Sequence, residues 1–396
     1  MKILVVCQHY FPENFAINEI TRQMVCFGHE VTVLTGQPNY GFDGIAKGYE
    51  NVFHEVIDGV NVHRVKIFPR RSGRLSIIKN YLSFWAHSKA WTRKTKQSFD
   101  VVYSMSLSPI ISVSAGNLYS KKHKVPHLLH CVDLWPESTV VTKNIKYNGL
   151  LYRFLLSWSR RIYRHTTEIL IGSPSFKNYF DDVLKIKDKG LTYVPQPALV
   201  NVCSEYPINY PEGTHIVYAG NLGSLQLLDL LVDTADKLKS HGLFYFHVIG
   251  MGSMKASFLQ DIKQRKLEDR VIYHGPMPSQ KAAGYFVNAD ALWVSLKNEG
   301  IVGKTIPNKL IMYLGFGKPI IGVVGGDSKT LLQETHGAIL CNEDSSDISE
   351  QIARFALLSK KEKALIGSRN KKYFDDHFQS VQLIRAIEHH LLDLIK

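Results

Sequence analysis

Short apolar runs alternate along this chain with longer stretches in which apolar residues recur every three or four positions. Residues 3–7, ILVVC, form an unbroken apolar run, the pattern of a strand buried on both faces. Residues 14–28 carry apolar side chains at helical spacing and end in a glycine, which predicts a helix. Further strands are predicted at 30–35, 60–68, 99–105, 127–132, 168–172 and 191–194. This alternation predicts a parallel, doubly wound α/β sheet.

Residues 195–213 interrupt the pattern with four prolines and no helical period, so we interpret them as a linker. The alternation then restarts, with strands predicted at 215–219, 243–249, 271–274, 291–295, 319–324 and 338–341. Helices are predicted at 224–240, 253–266, 279–288, 307–316 and 373–395. The chain is thus predicted to hold two Rossmann-like domains, 1–195 and 196–375, facing each other across a cleft. Parallel sheets bind ligands at the carboxyl ends of their strands, so we expect the functional residues there.

Composition narrows the class of protein. Hydrophobic residues make up 45% and charged residues 21% of the 396 positions, which excludes a collagen-like or disordered chain. The five cysteines are scattered without a C-x-x-C pair, so we expect reduced thiols rather than a zinc knuckle or a redox motif. The apolar start is too short for a signal peptide, and no apolar run reaches about 18 residues. We therefore expect a cytoplasmic protein without a membrane span.

The charge is concentrated in the first half of the chain. Lys and Arg outnumber Asp and Glu by 48 to 35, a formal net charge of +13. Residues 1–200 hold 26 basic and 14 acidic residues, whereas residues 201–396 hold 22 and 21. An excess confined to one half indicates a polyanionic partner, either nucleic acid or an acidic membrane surface.

Much of the excess lies in residues 59–99, which contain ten basic residues, several aromatic residues and no Asp or Glu. Leu75, Ile78, Leu82 and Trp85 recur there at helical spacing. This apolar stripe either packs on the sheet beneath solvated cations, or docks with them on an anionic bilayer, or accompanies a nucleic-acid surface. The residues that would dock on a membrane are Arg70, Arg71, Arg74, Lys79, Trp85, Trp91, Arg160 and Arg161.

Polar residues follow the strand predicted at 127–132, in the segment 130–138. His130, Asp133 and Glu137 are candidates for positioning an acceptor hydroxyl or moving a proton. Alternatively, Asp133 caps the following turn and His130 is a hydrogen-bonded core histidine. Both interpretations remain open at this point.

The segment 299–309 has the pattern of a phosphate site. It leads from a strand into a helix that opens at Pro307, and it carries Lys304 and Lys309. A helix N-terminus with added cations suits a diphosphate, although an ordinary loop with solvated lysines has the same pattern. The turn at 220–224, GNLGS, also follows a strand and offers free amides. No G-x-G-x-x-G or P-loop motif is present, so we expect neither a conventional dinucleotide site nor P-loop chemistry.

Taken in order, several motifs of this chain resemble those of family 4 glycosyltransferases, which have the GT-B fold. The closest resemblance is to the O-antigen and capsule branch typified by N-acetyl-L-fucosaminyltransferases. The motifs are YFPEN at 10–14, GHEVTVLTG at 28–36, DLWPES at 133–138, GNLG at 220–223, PNK at 307–309 and GKP at 317–319. Each is weak alone, but their order and spacing over nearly the whole chain are specific.

The resemblance implies transfer of a sugar from a UDP-sugar, N-acetyl-L-fucosamine or a related amino-deoxy sugar, to an undecaprenyl-diphosphate-linked saccharide at the inner membrane face. It implies retention of configuration, no metal or other cofactor, no nucleic-acid partner, and a final helix at about 376–396 that returns to the first domain. The implied donor residues are Asn221, Gln226, Gly250, Met277, Pro278, Lys304, Thr305, Ile306 and Lys309. The acceptor would lie against Pro12, Glu13 and Asn14.

The chain departs from the family pattern at several positions. Lys304 and Met312 occupy the places of the family's two motif glutamates, and Val132 that of its usual histidine. Asn221 and Gln226 replace a basic pair. Three other functions stay open: a sugar-nucleotide epimerase of the same fold, a basic nucleic-acid-binding protein, and a scaffold subunit with a degenerate site.

Overall fold

A computed structural model describes residues 1–42, 44–71, 73–141, 145–200, 206 and 208–396. The chain divides into two compact units. The first unit is Met1–Pro197 together with Ser380–Lys396, and the second unit is Ala198–Gln379. Part of the predicted linker lies outside the described residues, and Cys203 is in that part. The other four cysteines are free thiols.

The first unit is built on an eight-stranded sheet in the order β3-β4-β2-β1-β5-β6-β7-β8. Its strands are β1 (Lys2–Val6), β2 (Glu30–Gly36), β3 (His54–Ile57), β4 (Val60–Val65), β5 (Val101–Ser106), β6 (His127–Cys131), β7 (Glu168–Ile171) and β8 (Leu191–Tyr193). All neighbouring strands are parallel except the β3–β4 hairpin. The apolar run at residues 3–6 is completely buried in the centre, as expected of a strand covered on both faces.

Helices cover both faces of this sheet. They are α1 (Ala16–Cys26), α2 (Arg74–Lys94), α3 (Ser114–His123), α4 (Glu137–Val141), α5 (Leu150–Arg164) and α6 (Phe176–Asp182). A short 3₁₀ turn, Ile110–Val113, precedes α3.

The second unit has a six-stranded parallel sheet in the order β11-β10-β9-β12-β13-β14. Its strands are β9 (Thr214–Asn221), β10 (Phe244–Met251), β11 (Val271–Gly275), β12 (Ala291–Ser295), β13 (Ile320–Val323) and β14 (Ala338–Leu340). Its helices are α7 (Leu228–Lys237), α8 (Lys255–Gln264), α9 (Ser279–Asn288), α10 (Asn308–Gly315), α11 (Gly326–Thr335), α12 (Ser345–Ala356) and α13 (Lys360–His377). The last helix, α14 (Ser380–Ile395), belongs to the first unit and packs against α1.

The fold class predicted from the sequence, two doubly wound units with mainly parallel sheets, is confirmed. Three details differ. The hairpin strand β3 was not predicted, because its four residues, HEVI, are too few to show a strand-like alternation of apolar and polar side chains. The helix predicted at 373–395 is two helices, α13 and α14, separated by Phe378 and Gln379. The predicted strand at 60–68 ends at Val65.

Helix α2 packs on the first unit with an unexpected face. Its buried residues are Asn80, Phe84, Ser88 and Thr92, most of them polar. The apolar stripe formed by Leu75, Ile78 and Leu82 is exposed instead. The interpretation that this stripe packs on the sheet is therefore wrong.

Candidate functional site

Gly250 lies at the carboxyl end of β10, paired in register with Gly220 at the end of β9. Gly250 has a positive φ of 132°, and a Cβ atom placed on it would lie 1.9 Å from the carbonyl oxygen of Gly220. Only glycine fits this position. Gly250, predicted as a donor-site residue, thus shapes the floor of the site through its backbone.

Lys309 reaches this floor from the first turn of α10. Its Nζ lies 2.9 Å from the Tyr218 hydroxyl and 4.1 Å from the centre of that ring. No ion pair joins Lys309 to a carboxylate in the part of the chain that the structure describes. Desolvation without a compensating anion lowers the pKa of Lys309 to about 7. An ammonium in this position, beside the N-terminus of a helix, is suited to an anionic ligand.

Two tyrosines that the sequence analysis did not single out hold this arrangement together. The Tyr218 hydroxyl accepts from Lys309 and donates to the carbonyl of Asn221 at 2.6 Å. The buried Tyr313 hydroxyl accepts from the Ala219 amide at 2.7 Å. Tyr313 lies in the last turn of α10, so it ties that helix to β9. Tyr218 lies in an apolar strand, so its place in the sequence does not distinguish it from an ordinary core tyrosine.

The other predicted donor residues lie at the same edge of the sheet. The Asn221 side chain is exposed, and the Gln226 side-chain oxygen accepts from the Gly223 amide at 3.1 Å, closing the turn after β9. Lys304 is exposed at the end of a 3₁₀ turn, and the Thr305 carbonyl accepts from Ser328 on α11. Ile306 lies just before α10. Met277 and Pro278 lie just after β11, and Pro278 caps α9.

In the first unit, Asp133 follows β6 and is half-buried. Burial raises the pKa of its carboxyl, and hydrogen bonding by Ser108 and the Leu134 amide offsets part of that rise. Arg70 lies over the rings of Tyr40 and Tyr81, at 5.2 and 5.9 Å from their centres, and Tyr81 interacts electrostatically with both Arg70 and Asp133. Arg70 therefore belongs to this polar cluster rather than to an outward docking surface.

His130 is a core residue. It is fully buried, with Nδ1 3.0 Å from the Tyr103 hydroxyl and Nε2 2.8 Å from the Val194 carbonyl oxygen. Burial lowers its pKa to about 4. Since both ring nitrogens are engaged within the protein, direct contact of His130 with a substrate is incompatible with this geometry, and the alternative of a hydrogen-bonded core histidine describes it.

Glu137 is also engaged internally. It is buried at the start of α4 and accepts a hydrogen bond of 2.5 Å from the Tyr152 hydroxyl. Glu137 thus joins α4 to α5, and its engagement with Tyr152 argues against a direct catalytic role. Of the three catalytic candidates, only Asp133 keeps a partly exposed side chain.

The loop after β1 is organised by Glu13. This carboxylate is buried, and Oε1 accepts the backbone amides of Asn39 and Tyr40. Oε2 lies 2.9 Å from Nδ1 of His9. Its neighbours in the predicted acceptor segment differ, since Pro12 is half-buried and Asn14 is exposed. His9 was missed, and its i, i+4 spacing from Glu13 just after a strand was the available signal.

The exposed stripe of α2 continues onto α5. Trp85 and Trp158 meet edge to face at 6.1 Å, and α5 exposes Leu150, Leu151 and Phe154 beside them. We call the six exposed apolar residues of α2 and α5 the docking surface: Leu75, Ile78, Leu82, Leu150, Leu151 and Phe154. Exposed cations carried by the same helices or just before them flank it: Arg71, Arg74, Lys79, Arg153 and Arg161.

Two residues predicted to dock on a membrane have other partners. Arg160 donates to the Leu184 and Val183 carbonyls at 2.7 and 3.0 Å, just beyond the end of α6. Trp91 packs against the core between α2 and the sheet. Helical periodicity places both side chains on the inner faces of their helices, Trp91 on α2 and Arg160 on α5, and so keeps them away from a membrane.

Neither a metal centre nor a membrane-spanning helix is seen among the described residues. No group of three or more His, Cys, Asp or Glu side chains in those ranges is arranged to hold a metal ion. Over the same residues, no helix combines the length and apolar character needed to cross a bilayer.

Two protein families match the chain in succession. Residues 14–196 match the glycosyl transferase 4-like domain. Residues 213–357 match the glycosyl transferases group 1. A relative from Escherichia coli (strain K12), the putative colanic acid biosynthesis glycosyl transferase WcaI, is 22% identical over 341 residues, which are 80% of this chain and 82% of that protein.

Solved structures share the fold over the full chain. Sucrose-phosphate synthase from Thermosynechococcus elongatus superposes with a TM-score of 0.75 at 15% identity, covering 99% of this chain and 98% of that one. Anabaena Alr3699/HepE, solved in complex with UDP and glucose, gives a TM-score of 0.68 at 14% identity, covering 99% of this chain and 100% of that one. At such identities the likeness concerns the fold.

Proposed function

Since the chain belongs to the glycosyltransferases of the GT-B fold, we propose that it transfers a sugar from a UDP-sugar to a lipid-diphosphate-linked saccharide during synthesis of a surface polysaccharide. The observation that carries the donor half of this proposal is Lys309. Its ammonium has no carboxylate partner in the described chain and lies beside a helix N-terminus at the carboxyl edge of the sheet. A donor diphosphate supplies the missing negative charge.

The nucleotide side of the donor is proposed from the same edge. Met277 and Pro278 would contact the uracil, while Asn221, Gln226 and the backbone at Thr305 and Ile306 would contact the phosphates. The relative Alr3699/HepE was solved with UDP, which supports a uridine nucleotide as the donor. N-acetyl-L-fucosamine or a related amino-deoxy sugar is the sugar we propose from the branch resemblance.

The acceptor is proposed to be membrane-bound. The docking surface combines exposed apolar side chains with flanking cations, the composition that binds anionic bilayers. An undecaprenyl-diphosphate-linked saccharide is presented at such a surface, on the inner face of the plasma membrane. The relative named for colanic acid biosynthesis supports a surface polysaccharide as the product.

The chemistry is proposed to proceed without a metal and with retention of configuration. Lys309 and the α10 amides would stabilise the negative charge that develops on the departing diphosphate. Asp133 would orient the acceptor near the reacting carbon. A sugar-nucleotide epimerase is less favoured, because its reaction does not require the docking surface. Nucleic-acid binding is less favoured, because it does not require the exposed Leu and Phe side chains of that surface.

Ligand-induced stabilisation tests the donor assignment. UDP and UDP-sugars at about one hundred times their Kd should stabilise the native protein by about 2.7 kcal/mol, whereas ADP and GDP at the same concentration should stabilise it less. The sugar giving the largest rise in unfolding temperature identifies the donor. If UDP-ligands stabilise the protein no better than ADP and GDP do, the uridine assignment is lost.

A further inference from the structure

Arg70 lies at the carboxyl edge of the sheet in the first unit, in the segment between β4 and α2. Its guanidinium lies over the ring of Tyr40, 5.2 Å from the ring centre, and over the ring of Tyr81 at 5.9 Å. Tyr40 follows β2, and its backbone amide donates to the buried Glu13 carboxylate. Tyr81 lies on α2. The two rings therefore hold the Arg70 side chain between a loop and a helix of the same unit.

Arg70 forms no ion pair with a carboxylate in the part of the chain that the structure describes. Residues 59–99, which include it, contain no Asp or Glu at all. Lys79 adds a second cation to this segment, with its Nζ 5.4 Å from the centre of the Phe68 ring. A guanidinium stays protonated at every pH at which the protein is folded, so its charge does not depend on a neighbouring group. Arg70 is therefore suited to an anionic ligand.

Stacking on aromatic rings leaves the N–H edge of a guanidinium for other partners. A cation–π contact uses the flat face of the group, whereas its N–H donors point outwards in the plane. Two of these donors can bind two oxygens of one phosphate side by side, a pairing that the lysine ammonium does not make. A stacked arginine thus combines a fixed orientation with a phosphate-binding edge.

Tyr81 connects Arg70 to two other features of the first unit. It lies on α2 between Ile78 and Leu82, two residues of the docking surface. It also interacts electrostatically with Arg70 and with Asp133, the residue proposed to orient the acceptor. The same neighbourhood therefore combines an apolar surface, a cation and a carboxylate that orients a sugar. A lipid-linked saccharide has three matching parts: an apolar chain, a diphosphate and a sugar.

We propose that the Arg70 guanidinium, held against Tyr40 and Tyr81, binds the diphosphate of the lipid-linked acceptor. The inference rests on the proposed glycosyltransferase function and assigns to its acceptor a residue that the sequence analysis assigned to membrane docking. Arg70 contacts the phosphate oxygens through its N–H groups, and the two tyrosines are positioning residues. The diphosphate stays on the lipid throughout, because the acceptor reacts at its saccharide. Arg70 thus selects lipid-diphosphate acceptors over uncharged glycosides.

Two acceptors, with and without phosphates, test this assignment. They are farnesyl-diphosphate-linked N-acetylglucosamine and farnesyl N-acetylglucosaminide, each assayed with the UDP-sugar selected by thermal shift. We expect Arg70→Gln to raise the KM of the diphosphate acceptor about tenfold to a hundredfold, the loss of charge-assisted hydrogen bonds. The KM of the uncharged acceptor and that of the donor should stay within about twofold.

Two further variants separate charge from geometry. Arg70→Lys should recover only part of the affinity for the diphosphate acceptor, because it keeps the charge but loses the paired N–H groups. Arg93→Gln, at an exposed arginine on α2, is the matched control and should keep the wild-type KM for both acceptors. Equal KM increases for the two acceptors in Arg70→Gln, or no increase for either, would overturn the proposal.

Equilibrium binding gives a second measurement that does not depend on turnover. Farnesyl diphosphate is titrated into the protein at saturating UDP, which occupies the proposed donor site, and farnesol serves as the uncharged probe. Arg70→Gln should weaken the binding of farnesyl diphosphate at least about tenfold and leave that of farnesol and UDP unchanged. Equal affinity of Arg70→Gln and the wild type for farnesyl diphosphate contradicts the proposal. If the wild type binds it through Arg70 but transfers no sugar, the proposed function has failed rather than the assignment of Arg70.

Phospholipid headgroups are the other source of phosphate at this surface. Arg70→Gln and Arg161→Gln should sediment alike with phosphatidylglycerol vesicles, since each variant loses one cation. If Arg70→Gln sediments less than Arg161→Gln and binds farnesyl diphosphate like the wild type, Arg70 binds a membrane headgroup and the proposal is overturned.

Discussion

The charge of a single residue, Lys309, should determine how the UDP affinity of the proposed donor site depends on pH. Its desolvated ammonium has a pKa near 7 because the described chain supplies no anion to it, so at slightly alkaline pH the free protein holds it largely neutral. A bound diphosphate favours the charged form. Binding therefore takes up a proton, and UDP affinity should fall as the pH rises above neutrality.

We predict that UDP binding at about pH 8.5 takes up close to one proton, measured by isothermal titration calorimetry in buffers of different ionisation enthalpy. Lys309→Met should abolish this uptake and weaken UDP about tenfold to a hundredfold, the loss of one charge-assisted hydrogen bond. Lys263→Met, at an exposed lysine on α8, serves as the matched control. Proton uptake that persists in Lys309→Met would assign the titration to another group.

Histidines illustrate what can be predicted at this scale. His130 and His9 both stand near the end of a buried strand, and only the i, i+4 spacing of His9 from Glu13 distinguishes the two in the sequence. His130 is hydrogen-bonded at both ring nitrogens, whereas His9 bonds Glu13 through Nδ1. The difference depends on Tyr103, Val194 and the backbone of residues 39–40, which only the folded chain brings near.

Three histidines on neighbouring strands of the second unit form a directional hydrogen-bond chain. Nε2 of His215 donates to the Pro211 carbonyl, so Nδ1 of His215 accepts from Nε2 of His247. Nδ1 of His247 accepts in turn from Nε2 of His274. Tyr285 lies 3.3 Å from the last ring nitrogen. Each imidazole is neutral in this arrangement, and an added proton would displace one of the bonds. Burial and the flanking histidines lower the pKa of His247 to about 3.

The free energy of unfolding should consequently fall on acidification. Between about pH 6.5 and pH 3 the unfolded state binds the His247 proton and the native state does not, so stability is lost as the pH falls. By about pH 4.5 the loss through His247 is about 2–3 kcal/mol, measured by urea unfolding. His247→Leu should be less stable at neutral pH but should lose less on acidification than the exposed-site control His123→Leu. Identical pH profiles would rule out this role.

Helix α2 marks the limit of prediction at the scale of elements. Its periodicity was sufficient to predict a helix but not the face that it buries. The sheet side holds Asn80, whose amide bonds Asn39 and Phe68 and whose oxygen accepts from Gln8. These polar contacts replace the apolar packing expected from the pattern. The apolar stripe is therefore free to form part of a surface.

At the scale of the whole molecule, the uneven charge of the sequence coincides with the docking surface. Leu150 is 88% and Phe154 63% exposed, so polar replacements there should leave the fold intact. We predict that the protein sediments with phosphatidylglycerol vesicles at low salt. Leu150→Ser combined with Phe154→Ser should lower the partition coefficient at least about tenfold, because burial of two large apolar side chains is lost.

Leu357→Ser is the matched control for vesicle binding, since Leu357 lies in the second unit with the same 88% exposure as Leu150. It should bind vesicles like the wild type. High salt should weaken binding by screening the flanking cations without abolishing the apolar contribution. Equal sedimentation of the double variant and the wild type would contradict membrane docking by this surface.

The most direct test of the central claim is mass spectrometry of a transfer reaction. The wild-type protein is incubated with a panel of UDP-sugars and farnesyl-diphosphate-linked N-acetylglucosamine, and product mass and released UDP are followed together. The account predicts one glycosylated product, equimolar UDP, and a rate reduced at least about tenfold in Lys309→Met. The absence of any glycosylated product, or an unchanged rate in Lys309→Met, would contradict it.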